Sequence, residues 1–279
     1  MRKKHRWIVL AIAVFLIGWI LLANKALNVT TYTVNSEKIP DSFNGYRIAQ
    51  ISDLHNAQMG KGNRKLLQML EDAQPDIIVI TGDLIDSRNT KPEIAIQFVT
   101  EAVKIAPCYY VSGNHEARVP EYTGLKADMQ AAGVTVLEDA KAQITLNGQS
   151  ICLIGLNDPS FETDYLNGED VAIVTEKLAQ LCGEEHGFTM LLSHRPELFD
   201  VYTQAGADLV LCGHAHGGQV RLPFVGGVIA PNQGFFPEYD AGLFARDNTT
   251  MIVSRGIGNS IFPVRINNCP ELVVIELQK

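Results

Sequence analysis

Five short apolar runs of this chain each end in residues whose side chains bind metal ions. These residues are Asp53 and His55, Asp83, Asn114 and His115, His194, and His214 and His216. Runs of this length and β-branched content predict buried strands, and the residues after the carboxyl ends of such strands lie where open α/β sheets bind ligands. Carboxylate, amide and imidazole groups without a thiolate favour a catalytic site for Mn, Fe, Zn or Co over a closed structural zinc site.

The spacing within this set favours shared ions. Asp53 and His55 are two residues apart, as are His214 and His216, so both side chains of a pair can point to one face of an extended strand. Asp83 offers two carboxylate oxygens. A carboxylate can bridge two cations that lie roughly 3.5–4 Å apart.

The elements that position these residues alternate between strands and helices. Apolar runs predict strands at 46–51, 77–80 and 109–111, and helical spacing predicts helices at 65–73 and 92–106 between them. This βαβαβ order favours a parallel sheet with right-handed crossovers.

The second half of the chain predicts a further sheet. Asn147 and Gly148 form a strong hairpin signal between strands at 142–146 and 150–155. A predicted helix at 171–181 precedes a strand at 190–192. The last strands are expected at 227–230, 250–254 and 272–277. We expect these last strands in a second sheet packed on the first.

In their order along the chain, the motifs resemble those of the calcineurin-like metallophosphoesterases. The matching motifs are Asp53-x-His55, Gly82-Asp83-x-x-Asp86, Gly113-Asn114-His115-Glu116, His194 and Gly213-His214-x-His216. The similarity extends from about residue 48 to residue 216, and residues 213–223 resemble the membrane-associated bacterial branch related to UDP-2,3-diacylglucosamine hydrolases. The resemblance implies an α/β fold, a four-layer αββα sandwich of two mixed sheets flanked by helices.

The resemblance also implies a role for each motif residue. A first metal ion would be held by Asp53, His55, Asp83 and His216. A second metal ion would be held by Asp83, Asn114, His194 and His214. His115 would stand beside the leaving-group oxygen, to donate a proton or to stabilise developing charge. Asp86 and Glu116 would orient the ligands or His115.

The implied activity is phosphoester hydrolysis by a hydroxide between two divalent or transition metal ions, with manganese among the candidates. Two such ions against the carboxylates of Asp53 and Asp83 leave a formal charge near +2, which attracts a phosphate. The hydroxide would attack phosphorus in line with the departing oxygen. We expect a phosphodiester or pyrophosphate substrate.

Further residues next to the motifs could contact the substrate. Arg195 and Arg221 could bind its phosphate. Phe224, Phe235 and Phe236 follow the site in sequence and could either line a substrate path or pack beneath a hairpin of the second sheet.

The N-terminus contains a membrane signal. Four basic residues within the flank at 1–6 precede an uncharged apolar stretch at 7–23. This length is at the short end of the roughly 17–25 residues that cross a bilayer as a helix. The flank should stay in the cytoplasm. After a linker at 24–28, the metallophosphoesterase domain at 29–279 should lie on the extracytoplasmic side of the cell membrane.

A cleaved secretory signal is the alternative to this single-pass anchor. Residues 22–26 offer a poor small-x-small cleavage site, which favours the retained anchor. A domain held so close to the bilayer has a lipid-linked phosphate or pyrophosphate as a candidate substrate.

Composition limits the other partners. The net charge of −8 and the pI near 5.4 disfavour a nucleic-acid-binding surface. The five cysteines have no CxxC spacing and are expected as free thiols rather than ligands.

Two other functions stay open at this point. A phosphomonoesterase or protein phosphatase could use the same ligands, although the chain has no insertion large enough for a peptide-docking domain. A non-catalytic binding protein could use the same fold. Such a protein should lack some ligands or the acid histidine, and this chain lacks none of them.

Overall fold

The computed structural model describes residues 6–8, 10, 14, 18, 24, 26–163, 169–183, 187–259 and 264–279. Most of the predicted anchor at 7–23 lies outside these residues. Among the residues that are described, no helix is long and apolar enough to cross a membrane.

Two six-stranded mixed sheets form the body of the domain. The first contains, in spatial order, β1 (Asn28–Asn35), β16 (Glu271–Gln278), β2 (Arg47–Ile51), β3 (Ile77–Thr81), β4 (Cys108–Val111) and β5 (Thr135–Val136). The second contains β14 (Gly242–Arg246), β15 (Thr249–Val253), β9 (Leu209–Cys212), β8 (Thr189–Leu192), β7 (Gln149–Gly155) and β6 (Ala140–Leu146). Strands β2 to β5 are parallel, as are β7, β8, β9 and β15.

Helices connect most of the parallel strands. They are α1 (Arg64–Ala73), α2 (Pro92–Ala102), α3 (Tyr122–Ala131), α4 (Glu169–Cys182) and α5 (Phe199–Gln204). The predicted βαβαβ order is confirmed and continues through α3 to β5. Helix α2 ends at Ala102, four residues before the predicted end at 106. The residues after Ala102 form turns that lead to Pro107, and a proline disfavours helical geometry in the residue before it.

Three apolar layers separate the sheets and helices. Ile80 packs with Phe98 between the first sheet and its helices. The next residue back along β3, Val79, faces Leu211 of the second sheet, because successive strand side chains point to opposite faces. On the far side, Val210 packs with Phe199 of α5. The order of layers is therefore helix, sheet, sheet, helix, as the resemblance implies.

The last strand lies in a different sheet from the one predicted. Residues 272–277 were expected in the second sheet, but β16 lies in the first, between β1 and β2. Its side chains are buried on both faces, which suits a central strand. The apolar pattern fits either sheet. Pairing with the distant strands β1 and β2, such as Val274 with Thr31 and with Ala49, decides between the two sheets.

The strand predicted at 227–230 is divided between two short hairpins. The first pairs β10 (Arg221–Leu222) with β11 (Gly226–Gly227), and the second pairs β12 (Ile229–Ala230) with β13 (Gly234–Phe235). Both lie outside the two large sheets.

Candidate metal centre

Backbone hydrogen bonds hold together the loops that follow the strands. The Asp53 N–H donates to the Gly82 carbonyl at 3.0 Å, and the His55 N–H donates to the Asp83 carbonyl at 3.0 Å. The His214 N–H, from the second sheet, donates to both carboxylate oxygens of Asp53 at 3.2 and 3.1 Å. The carboxyl ends of strands from both sheets therefore meet at one site.

Five of the expected ligands have left-handed backbone conformations. They are Asp53, His55, Asp83, His214 and His216, with φ between 45° and 65°. Such conformations cost about 1–3 kcal/mol each for residues with a side chain and persist where the surroundings enforce them. Their concentration at these strand ends is typical of a functional site.

A first cluster contains Asp53, His55 and His216, all buried. The Oδ1 atom of Asp53 lies 3.7 Å from Nε2 of His55 and 3.3 Å from Nε2 of His216. The two Nε2 atoms are 3.2 Å apart. The three side chains thus direct an oxygen and two nitrogens toward one point.

A second cluster contains Asp83, His194 and His214. Nε2 of His194 lies 3.2 Å from Oδ2 of Asp83 and 3.1 Å from Nδ1 of His214. The same Oδ2 atom lies 3.5 Å from Nε2 of His55 in the first cluster. The other oxygen, Oδ1, accepts the His115 N–H at 2.8 Å. One oxygen of Asp83 therefore lies between the clusters while the other fixes the carboxylate.

Asn114 is buried beside this network. Within the described part of the chain, its Oδ1 atom has no hydrogen-bond partner. Buried polar atoms are rarely unsatisfied, and an amide oxygen is an ordinary ligand for a divalent cation. The orphaned oxygen and the mixed donor set of the two clusters fit a pair of divalent or transition metal ions.

The electrostatics of the clusters also fit cation binding. Burial opposes ionisation of Asp53 and Asp83, but neighbouring histidines outweigh it and hold the pKa of both carboxyls below the ordinary value. Burial lowers the pKa of His216 to about 3 and that of His214 well below its usual value. Ionised carboxylates and neutral imidazoles are the states that metal ligands require.

His55 and His194 differ from His214 and His216. Burial disfavours the charged form of His55, but the hydrogen bond to Asp53 and the charge of Asp83 outweigh burial and raise the pKa of His55. The same holds for His194. Burial disfavours its charged form, but the charge of Asp83 outweighs burial and raises the pKa of His194 to about 10. Its Nδ1 faces the Thr81 carbonyl at 2.7 Å, so Nε2 is the atom available to a cation. Cation binding at this nitrogen would therefore release a proton.

His115 contacts both clusters, and residues of the loop after β3 hold its ring. Its ring lies at a centroid distance of 4.5 Å from that of His55. Its Nδ1 accepts the Ser87 N–H at 3.0 Å and lies 3.6 Å from Oδ1 of Asp86. Burial lowers the pKa of His115 to about 4. The neutral imidazole therefore has its proton on Nε2, since Nδ1 is an acceptor.

Glu116 joins the loops after β3 and β4. Its Oε2 atom accepts the N–H groups of Asp83 at 2.9 Å and Gly113 at 2.8 Å, and its Oε1 accepts that of Ile85 at 3.3 Å. Burial and the charge of Asp83 raise the pKa of Glu116 to about 7. Glu116 thus positions the backbone of Asp83, while Asp86 pairs mainly with Arg88 at 2.7 Å.

Arg195 is fully buried, unlike an exposed loop arginine. It pairs with Asp158 through Nε at 2.6 Å and Nη2 at 2.9 Å. Its Nη1 lies 3.0 Å from Oδ1 of Asn232 and 3.0 Å from Nε2 of His214. The same Asn232 oxygen lies 2.9 Å from Nε2 of His214. Arg195 and Asn232 therefore orient His214, and the expected contact of Arg195 with substrate stays a prediction.

Two further arginines belong to the loops around the site. Arg221 pairs with Asp240 at 2.8 Å, and its expected contact with substrate also stays a prediction. Arg265 is fully buried, and its Nη2 lies 3.4 Å from Nδ1 of His216. Asn232, Asp158 and Arg265 were not identified from sequence, because no motif or spacing connects them to the ligands they support.

Comparison with known proteins identifies relatives that are named as phosphoesterases. The calcineurin-like phosphoesterase family model matches residues 46–218. The uncharacterized metallophosphoesterase YkuE of Bacillus subtilis is 29% identical over 259 residues, which are 90% of this chain and 86% of YkuE. The phosphodiesterase YaeI of Escherichia coli is 27% identical over 242 residues, 83% of this chain and 82% of YaeI. A transmembrane protein with metallophosphoesterase domain from Danio rerio is 28% identical over 276 residues, 96% of this chain and 61% of that protein.

Proposed function

Because the chain belongs to the calcineurin-like phosphoesterase family and is a metal-dependent phosphoester hydrolase, we propose that it is a phosphodiesterase that binds two metal ions. In this proposal the ligands are seven residues that follow the ends of its strands. These ligands are Asp53, His55, Asp83, Asn114, His194, His214 and His216. The position of Asp83 supports this proposal most directly, since its Oδ2 lies 3.5 Å from Nε2 of His55 and 3.2 Å from Nε2 of His194.

Each group of residues has a distinct task in this proposal. Asp53, His55 and His216 hold one ion, Asn114, His194 and His214 hold the other, and Asp83 is shared. Two divalent cations at such a site supply an activated water near neutral pH and stabilise charge on the phosphoryl oxygens. Manganese, iron, zinc and cobalt all suit the donor set.

In this proposal the neutral ring of His115 donates a hydrogen bond from Nε2 to the departing oxygen and stabilises the charge that develops there. Its Nδ1 accepts the Ser87 N–H, which leaves the proton of the neutral ring on Nε2. Removal of one such positioned donor typically costs about 10²–10³-fold in kcat. The similarity to the phosphodiesterase YaeI supports a diester over a monoester as substrate.

The direct test is hydrolysis of a generic aryl phosphodiester by the full chain. After chelation we expect no activity, and addition of Mn²⁺, Co²⁺, Zn²⁺ or Fe²⁺ should restore it, with the diester hydrolysed faster than the matching monoester. Asp83→Asn should abolish hydrolysis, and His115→Ala should reduce it while metal binding remains. Inactivity with all four ions would refute the proposal, whereas faster monoester hydrolysis would refute only the diester preference.

We further propose that residues 7–23 anchor the chain in the cell membrane, with the domain on the extracytoplasmic side. The support is the basic flank before the apolar stretch, together with the transmembrane relative from Danio rerio. Protease added outside right-side-out membrane vesicles should then digest the domain. Digestion only after the membrane is permeabilised would place the domain in the cytoplasm.

A further inference from the structure

The chain just after His216 contains several exposed apolar side chains. Residues 222–237 include no charged side chain, although the whole protein has a net charge of −8. Within them, Phe224 is fully exposed, Phe235 and Phe236 are 73% and 63% exposed, and Val225 is 59% exposed. We call these four residues the apolar rim. Scattered apolar side chains are ordinary on a surface, but several large ones together mark an interaction site.

The rim is attached directly to the candidate metal centre. Asn232, in the turn between β12 and β13, lies 2.9 Å from Nε2 of His214. The Val228 N–H donates to the Val220 carbonyl at 2.8 Å, and the Phe236 N–H donates to the Val228 carbonyl at 2.8 Å. The two hairpins are thus hydrogen-bonded to each other and to the loop after His216, so the rim borders the metal ligands.

The segment that joins the proposed anchor to the domain reaches the same place. The Asn24 side chain donates to the Arg265 carbonyl at 2.8 Å and accepts the Arg265 N–H at 2.8 Å. The next residue, Ile266, is bridged to Val220 and accepts the Arg221 N–H at 3.0 Å. These two hydrogen bonds hold Asn24, the residue that follows the apolar stretch 7–23 in the sequence, next to the hairpins that form the rim.

We propose that the apolar rim inserts into the boundary between lipid headgroups and acyl chains of the bilayer that holds residues 7–23. The partner is a bilayer rather than a second protein because the rim is continuous with the attachment of the anchor segment. Large apolar side chains such as those of the rim are also the ones that enter the boundary between headgroups and acyl chains. The inference rests on the proposed anchor and deepens the proposed function: the substrate is an amphiphilic phosphoester whose acyl chains stay in the bilayer while its phosphate reaches His214.

Photo-crosslinking tests this surface in the full chain. The protein is reconstituted into vesicles of equal parts phosphatidylcholine and phosphatidylglycerol that contain a phosphatidylcholine with a diazirine in its acyl chain. Mass spectrometry then locates the lipid adducts. We expect adducts at 222–225 and 235–236 in addition to those in 7–23. Adducts confined to 7–23 would overturn the proposal.

Substitution of the rim sharpens this test. The combined change Phe224→Ser, Val225→Ser, Phe235→Ser and Phe236→Ser should remove the rim adducts and leave those in 7–23. The matched change Val171→Ser, at another exposed apolar residue on α4, should leave the whole pattern unaltered. Persistence of adducts in the hairpins of the quadruple variant would contradict insertion by these side chains.

The cross-linking result is separable from the proposed hydrolysis. Adduct formation needs neither bound metal nor turnover, so rim adducts in a protein that fails to hydrolyse the aryl diester would refute the activity and retain the surface. A protein that hydrolyses the aryl diester but forms no rim adducts would retain the proposed activity and refute the membrane-inserting surface.

Discussion

The carboxylate of Glu116 accepts the backbone N–H of Asp83 at 2.9 Å. Glu116 also accepts the N–H groups of Gly113 and Ile85, so one buried side chain fixes the two loops that present Asp83, Asn114 and His115. The position of the shared ligand therefore depends on a residue that is not expected to touch a metal ion.

Glu116→Gln is expected to weaken this support. An amide presents N–H where the carboxylate presents an accepting oxygen, so at least one buried backbone N–H loses its partner, at a cost of about 1–3 kcal/mol. Urea unfolding should show the loss, together with weaker Mn²⁺ binding. The exposed Glu121→Gln serves as control and should change neither quantity. Unaltered metal affinity in Glu116→Gln would show that the loops hold their positions without this residue.

Gly82→Ala should disrupt the site by steric conflict. A Cβ at Gly82, where φ is +88°, would lie 2.6 Å from Nδ1 of His194 and 2.8 Å from Cα of Gly113. Gly45 has a similar φ of +83° but open space around it. Gly45→Ala should thus cost only the conformational penalty of about 1–2 kcal/mol. Gly82→Ala should lose more stability and its metal binding. Equal losses in the two variants would contradict the close approach.

Asp158→Asn should remove the carboxylate that pairs with Nε and Nη2 of the buried Arg195, while Glu197 stays 3.6 Å from Nη1. Removal of one member of a buried ion pair typically costs about 3–5 kcal/mol, and urea unfolding at pH 7 measures it. Asp128→Asn, at an exposed position, should have little effect.

The ion pair of Asp158 and Arg195 should also make the stability of the protein depend on pH in acid. Burial opposes ionisation of Asp158, but Arg195 outweighs it and lowers the pKa of this carboxyl below 3.8. A carboxyl with a depressed pKa contributes stability above its unfolded pKa and loses it as pH falls through the folded pKa. The native chain should therefore lose stability below about pH 4 more steeply than Asp158→Asn. Parallel pH profiles of the two chains would refute the depressed pKa.

Asn232→Ala should act through His214. It removes the oxygen that lies 2.9 Å from Nε2 of His214 and 3.0 Å from Nη1 of Arg195. Loss of such an orienting partner typically lowers metal affinity about 10–100-fold. The Mn²⁺ concentration for half-maximal hydrolysis measures the change, and Asn248→Ala in the exposed turn after β14 is the control. An unaltered Mn²⁺ requirement would show that Asn232 does not orient this ligand.

The sequence predicts the meeting of Asp53, Asp83 and Asn114, which follow β2, β3 and β4, because parallel strands place their carboxyl ends on one side of a sheet. It does not predict the sheet of β16, since residues apolar on both faces suit the interior of either sheet. Nor does it predict the burial of Arg195, which depends on Asp158, a partner 37 positions away that no periodicity links to it. Local patterns thus locate the ligands, whereas long-range contacts decide what supports them.

The metal content of the full chain tests the central claim most directly. After chelation and saturation with Mn²⁺, elemental analysis should find two ions per native chain, because Asp83 joins two ligand clusters. Asp83→Asn should retain fewer ions and no hydrolytic activity while it unfolds cooperatively like the native chain. A native chain that binds no Mn²⁺, or an Asp83→Asn chain that still binds two ions and hydrolyses the aryl diester, would contradict the shared position of Asp83.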